Sequence, residues 1–133
     1  MKALVLQSDK NLVLHKDFAV PEAPAPGSLL VQIAACGICG SDIPRGFGGK
    51  AYHYPLVMGH EFSGVVAEDR PGSTFKKGDR VAIFPLVPLD TSEAAYQTGD
   101  WAQLKAYDYF GSRRDGAFCE YLRVPEINLF KIP

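Results

Sequence analysis

Long apolar runs, basic blocks and a glycine-rich nucleotide loop are all missing from this 133-residue chain. No segment approaches the roughly 20 consecutive apolar residues that span a bilayer, so no membrane partner is expected. The apolar opening, residues 1–6, stops at Gln7-Ser8-Asp9-Lys10. That is too soon for the apolar core of a signal peptide, and no small-residue cleavage site follows, so a cytoplasmic protein is expected. Charges nearly cancel, to a formal net charge of -1, without any block of Lys or Arg. Nothing in that balance calls for nucleic acid or an anionic surface. Cysteine is scarce: Cys36, Cys39 and Cys119 only. An odd, small number without a secretion signal argues against a disulfide framework and turns attention to thiol or metal chemistry. No Gly-x-Gly-x-x-Gly follows a strand-like segment, so a dinucleotide-binding unit is not expected within these residues.

What the chain does have is punctuation. Thirteen glycines and ten prolines break it every few residues, which suits short strands and turns better than long helices. Residues 1–8 and 12–15 are apolar runs around the polar Asp9-Lys10-Asn11 and read as a hairpin. Residues 21–27, with prolines at 21, 24 and 26, read as an extended connector. Residues 28–35 alternate, with Leu29, Val31 and Ile33 on one face, as a strand with a buried side does. Residues 36–49 hold five glycines and read as loop, with a helical turn starting near Ser41, where Ser41 and Asp42 are suitable N-cap types. Residues 62–67, 80–84 (after a Gly78-Asp79 turn), 117–124 and 129–132 read as further strands. Only residues 91–106 have helical character, with Gly99 inside it. Many short strands with Gly/Pro turns predict a mainly β domain over residues 1–133, a small barrel or sandwich.

One constellation carries chemistry. Cys39, His60 and Glu61 offer thiolate, imidazole and carboxylate, the ligand types of zinc, whose catalytic sites keep one position open. Cys39 sits in the glycine-rich segment, which can wrap closely around an ion. His60 and Glu61 stand between Gly59 and a strand, where the strand would hold them rigidly. Residue types alone leave the alternative even: a buried structural Cys39 and a hydrogen-bonded surface His60.

Four motifs in order decide between these: Cys36-Gly37-Ile38-Cys39-Gly40-Ser41-Asp42, then residues 55–64 ending His60-Glu61-Phe62-Ser63-Gly64, then Gly78-Asp79-Arg80-Val81, then Asp115-Gly116-Ala117-Phe118-Cys119-Glu120-Tyr121. Together they resemble the medium-chain zinc-dependent alcohol and polyol dehydrogenases over essentially the whole chain. Cys39-Gly40-Ser41-Asp42-Ile43-Pro44-Arg45, Tyr52-His53-Tyr54-Pro55 and Gly111-Ser112-Arg113-Arg114-Asp115-Gly116 are most similar to the sugar-alcohol branch.

The resemblance implies a GroES-like, partly open β-barrel with short helices. It implies one catalytic Zn2+ on Cys39 and His60, with Glu61 as a direct ligand in some members and a neighbouring carboxylate in others. Such a zinc polarises the alcohol oxygen, and Ser41 matches the hydroxyl that passes the alcohol proton outward. The substrate implied is a small polyol or sugar phosphate, oxidised with NAD(P) bound by a Rossmann domain that would lie beyond Pro133. By itself the piece is expected to be inactive, and the full-length enzyme is expected to be a homo-oligomer.

Departures from the family are also legible. No cysteine occurs among residues 88–107, where many relatives carry a second zinc. A structural zinc is not expected, and Leu, Ala, Trp101 and Tyr packing is expected to replace it. Pro44 stands where some relatives keep a relay histidine, and His53 reads better as an exposed loop histidine than as its substitute. The stretch Glu68-Asp69-Arg70-Pro71-Gly72 reads as a surface-loop difference. Arg113 and Arg114 could recognise a sugar phosphate, although a solvated turn with Arg114 paired to Asp115 reads slightly better. Cys36 and Cys119 read as packed residues. Two other functions compete: a stand-alone, non-catalytic GroES-like binding or assembly module, which needs no metal triad, and a zinc-free quinone-type reductase, which lacks one.

Overall fold

The computed structural model describes residues 1–22 and 26–133. The middle of the 21–27 connector lies outside the described residues. The opening hairpin is as the sequence predicts: β1 (Ala3–Ser8) turns through Asp9-Lys10 into β2 (Asn11–His15), antiparallel. Lys10 takes φ 61° at that turn.

β3 (Ser28–Gly37) runs two residues past the predicted end. A register shift between Ile33 and Ala35 interrupts its alternation, and its later residues are largely exposed, so they carry no inward apolar signal. α1 (Asp42–Phe47) follows, with Ser41 at its N-cap. β4 (Leu56–Val57) leads into the Gly59 corner and β5 (Glu61–Val66). Next come β6 (Arg80–Ile83) and β7 (Leu86–Pro88). The predicted helical stretch 91–106 resolves into α2 (Ala94–Thr98) and a 3-10 turn (Trp101–Gln103). Gly99 at φ 83° separates them, a left-handed C-cap that glycine adopts without strain. β8 (Tyr107–Tyr109), β9 (Tyr121–Pro125) and β10 (Leu129–Lys131) complete the chain.

The main sheet has the order β10-β6-β5-β3-β9, and a small sheet has the order β2-β1-β4. Residues 117–120 were expected to open β9. They instead join the two sheets: Leu4 N–H donates to Phe118 O (2.8 Å), Glu120 N–H to Lys2 O (3.1 Å) and Ile33 N–H to Glu120 O (2.9 Å). The result is a curled, partly open barrel of the GroES-like kind, mainly strand with short helices. Its core includes Leu29, Val31, Phe62, Val66, Val81 and Phe110. Leu6, Leu56 and Met58 form a satellite beneath the small sheet.

β7 pairs with β8 as a separate two-stranded ribbon that carries the 88–107 lobe. Tyr96 stacks on Trp101 (centroids 5.7 Å, 9° between planes), and Phe84 tilts against Trp101 at 5.9 Å. The Glu93 carboxylate accepts hydrogen bonds from the Lys105 and Ala106 amides at 3.0 and 2.9 Å. At the lobe's root, fully buried Asn128 donates to Phe84 O and Leu86 O. Trp101 and its neighbours therefore hold the lobe by packing, as the sequence suggests, with Glu93 and Asn128 adding bonds that sequence reading did not find.

Candidate metal centre

β3, α1 and the turn into β5 meet at one end of the main sheet. Gly37, the last residue of β3, pairs with Glu61, the first of β5. A β-carbon at Gly37 would lie 2.8 Å from Glu61 Oε2, so the absent side chain leaves room for that carboxylate to fold over the strand end. Two residues later the chain reaches Cys39. Its backbone N–H donates to Asp42 Oδ2 at 2.9 Å, and Asp42 N–H donates back to Cys39 O at 2.9 Å. The carboxylate bond and the backbone turn together close the chain from Cys39 to Asp42 into a ring. It fixes the backbone that carries the Cys39 thiol. Ser41, exposed, makes no capping hydrogen bond through its side chain.

The other side of the site is built from backbone pressed against backbone. Gly59 adopts φ 93°. A β-carbon there would sit 2.6 Å from the Phe118 ring and 2.8 Å from Cys36 Sγ. Gly116 is tighter still: a β-carbon would lie 2.0 Å from Gly59 O and 2.6 Å from Gly111 Cα. That closeness lets residues 116–118 lay three hydrogen bonds along the corner: Gly116 N–H to Val57 O (2.7 Å), Ala117 N–H to Gly59 O (2.9 Å) and Phe118 N–H to Met58 O (2.9 Å). Asp115 Oδ1 accepts from Val57 N–H at 2.9 Å. His60 and Glu61 thus leave a corner whose backbone has little freedom.

Within this frame one ligand atom from each of Cys39, His60 and Glu61 lies within 4.8 Å of the others. With metal–ligand bonds of about 2.0–2.3 Å, donors in a tetrahedral site lie about 3.5 Å apart, so small side-chain adjustments would be enough for all three to reach one ion. The ring of His60 is buried, and its Nδ1 has no hydrogen-bond partner; Asp42 Oδ1 lies 3.6 Å away, just beyond bonding length. Tyr109 meets the ring edge-on at 5.7 Å. Burial, followed by the nearby Cys39 and Glu61, pushes the Tyr109 phenol above its ordinary range. A sulfur, nitrogen and oxygen set with a half-buried thiol, a buried imidazole and an exposed carboxylate fits a zinc site open on one side.

The other cysteines have different surroundings. Burial pushes the Cys36 thiol up to about 11 and the Cys119 thiol up to about 12. Both stay protonated near neutrality and pack against the core. His53 is exposed, with its Nδ1 3.1 Å from Pro55 O.

Of the two arginines in the 111–116 turn, Arg113 is exposed and Arg114 partly buried, and both lie over aromatic rings. Arg113 lies over the rings of Tyr107 (4.4 Å) and Tyr52 (5.4 Å) and donates to Tyr107 O at 3.2 Å. Arg114 lies over Phe110 at 5.0 Å, and its acidic neighbour is Asp108 at 4.0 Å rather than the expected Asp115, which is committed to Val57. Asp42 and Tyr109 were not among the expected site residues. Asp42 had a legible signal, an acid three residues after a cysteine. Tyr109 had none, because only the tertiary pairing of β7 with β8 brings it to His60.

Known proteins share this fold and much of this sequence. The alcohol dehydrogenase GroES-like domain matches residues 25–133. Galactitol 1-phosphate 5-dehydrogenase of Escherichia coli K12 is 40% identical over 136 aligned residues, covering all of this chain and 38% of that protein. The crystal structure of galactitol-1-phosphate dehydrogenase from Escherichia coli superposes with a TM-score of 0.92 at 38% identity, covering 100% of this chain and 38% of the other. A protein of Sinorhizobium meliloti 1021, described as a candidate zinc-binding dehydrogenase and bound to NADP, superposes at 0.86 with 34% identity, covering 99% and 38%. The chain therefore spans less than half the length of these relatives. On its match to the domain and on these likenesses, the chain belongs to the GroES-like domain family of the zinc-dependent alcohol and polyol dehydrogenases.

Proposed function

We propose that residues 1–133 form the metal- and substrate-holding domain of an NAD(P)-dependent dehydrogenase that oxidises a secondary alcohol of a polyol or polyol phosphate to a ketone. The observation that carries this reading is the convergence of Cys39, His60 and Glu61 within 4.8 Å. Those three residues would hold zinc, with a further position left for the alcohol. When bound, zinc supplies Lewis acidity to the hydroxyl oxygen and eases loss of its proton. Ser41, exposed beside Cys39 at the start of α1, takes that proton toward solvent. The Tyr109 ring packs edge-on against His60, and the Asp42 carboxylate faces its Nδ1 at 3.6 Å. NAD(P), when bound, would supply the acceptor for the hydride of the carbinol carbon. That cofactor needs a nucleotide-binding unit, for which these 133 residues contain no Gly-x-Gly-x-x-Gly loop.

Arg113 favours the phosphorylated substrate class. Tyr107 and Tyr109 occupy alternate positions on β8 and share a face. One of them meets His60, the other carries the Arg113 guanidinium, whose planar fork suits phosphate oxygens.

The test is to join this chain to the nucleotide-binding half of Escherichia coli galactitol 1-phosphate 5-dehydrogenase and follow NAD(P) reduction with a hexitol phosphate and with the free hexitol. Turnover is expected, abolished by Cys39→Ala. Arg113→Ala is expected to raise KM for the phosphate ester selectively. A folded, zinc-loaded chimera without turnover on any polyol would contradict the reading.

A further inference from the structure

Arg45 has no part in the chemistry above, yet its surroundings tie it to two of the three candidate ligands. Its side chain is 13% exposed, and its guanidinium donates to Asp42 Oδ1 at 3.1 Å. The same oxygen lies 3.6 Å from His60 Nδ1, while the other carboxylate oxygen, Oδ2, holds the Cys39 amide at 2.9 Å. Asp42 is 3% exposed. Among the described residues, Arg45 and His60 are the basic side chains within 4.0 Å of it.

A carboxylate this buried needs a fixed counter-charge or donor; otherwise it swings toward water or another donor. One oxygen is anchored by the backbone of Cys39. The two oxygens move as one plane, and a single hydrogen bond at Oδ2 still lets that plane pivot about the contact; the imidazole, at 3.6 Å, makes no hydrogen bond that would stop it. The guanidinium, reaching back one helical turn in α1, supplies the bond that does.

We propose that Arg45 is a positioning residue of the metal centre: it fixes the Asp42 carboxylate facing His60 Nδ1, so that Cys39 and His60 are aligned before metal arrives. This rests on the metal reading given above. A group behind a metal-bound histidine sets its ring orientation and tautomer, and losing such a group commonly costs about 10- to 100-fold in affinity. Arg45 would act one bond further out, through Asp42.

The experiment uses the 133-residue protein with zinc and cobalt(II) as probes. Affinity is measured by competition with a chelator, and the cobalt form by its thiolate charge-transfer and d–d absorption. Arg45→Met is expected to weaken zinc by about tenfold and to shift the cobalt bands. Arg45→Lys, which keeps a charged donor toward Oδ1, is expected to recover most of the affinity and the original bands. Nitrogen-15 shifts of the His60 ring in the metal-free protein should move in Arg45→Met and not in Arg45→Lys, which a purely structural role of the helix would not produce. If Arg45→Met is unfolded, Arg45→Gln against Arg45→Lys supplies the same comparison. Wild-type affinity, bands and ring shifts in the neutral variant would overturn the proposal while leaving the metal reading intact. Failure of the unmodified protein to bind either ion would defeat the metal reading itself, and this proposal with it.

Discussion

The metal corner and the 88–107 lobe are joined through β8, yet they are held together by different means. At the corner, Gly59, Gly111 and Gly116 bring main chain against main chain, and three consecutive amides bond across the contact. In the lobe the fixing is done by partly exposed side chains, the Tyr96–Trp101–Phe84 stack and the Glu93 carboxylate over two amides. Backbone contacts leave no rotamer to relax, so the corner can hold ligand side chains to a narrow geometry. Side-chain stacks tolerate substitution and loosen gradually. The rigidity available to His60 and Glu61 therefore comes from glycine placement, whereas the lobe can drift in sequence without disturbing the site.

The contrast is most vulnerable at Gly116. Gly116→Ala should cost about 3 kcal/mol or more, because the atoms its new methyl meets are backbone and cannot move aside. Denaturant unfolding measures that loss, and the variant should also lose metal affinity. Native stability in the Gly116→Ala protein would show the corner to be softer than described. A smaller effect is expected in the lobe. Trp101→Ala removes one stacked and one tilted aromatic contact and should cost about 1–2 kcal/mol while leaving metal affinity unchanged. Coupling of that loss to the metal would erase the distinction between the two regions.

The smallest effect lies on the barrel side, away from both regions. The Arg123 guanidinium on Glu68, opposed by partial burial and helped by the Leu30 amide, holds the Glu68 carboxyl below its ordinary value. A carboxyl lowered on folding contributes its full stability above the unfolded value of about 4.3 and loses it as pH falls through the lower folded value. Glu68→Gln should therefore flatten the acid limb of the stability profile below about pH 4 and cost less than about 1 kcal/mol at neutrality. Urea midpoints between about pH 3 and 7 measure it; an unchanged acid limb would remove Glu68 from the barrel's electrostatics.

Much of the barrel was legible because its strands alternate. Leu29 and Val31 in β3, Phe62 and Val66 in β5, and Val81 and Ile83 in β6 all face the core as their spacing implies. Three elements of two or three residues with distant partners, β4, β7 and β8, were not legible, although the equally short β10 was. No periodicity develops over so short a span. The end of β3 was obscured by its own bulge and by exposed Ala34 and Ala35. At the site, Cys39, His60 and Glu61 were legible by residue type and motif. Asp42 carried a signal, its place three residues after Cys39, but nothing in the letters showed it or Arg45 facing inward, since both also serve a plain helix start; their burial shows it.

Convergence of Cys39, His60 and Glu61 on one ion is tested most simply by the ratio of zinc to protein in the purified, dialysed chain, compared with its Cys39→Ala and His60→Ala variants. The unmodified protein should hold about one zinc per chain, and neither folded variant should retain any. A folded, metal-free parent, or variants that keep their zinc, would contradict it.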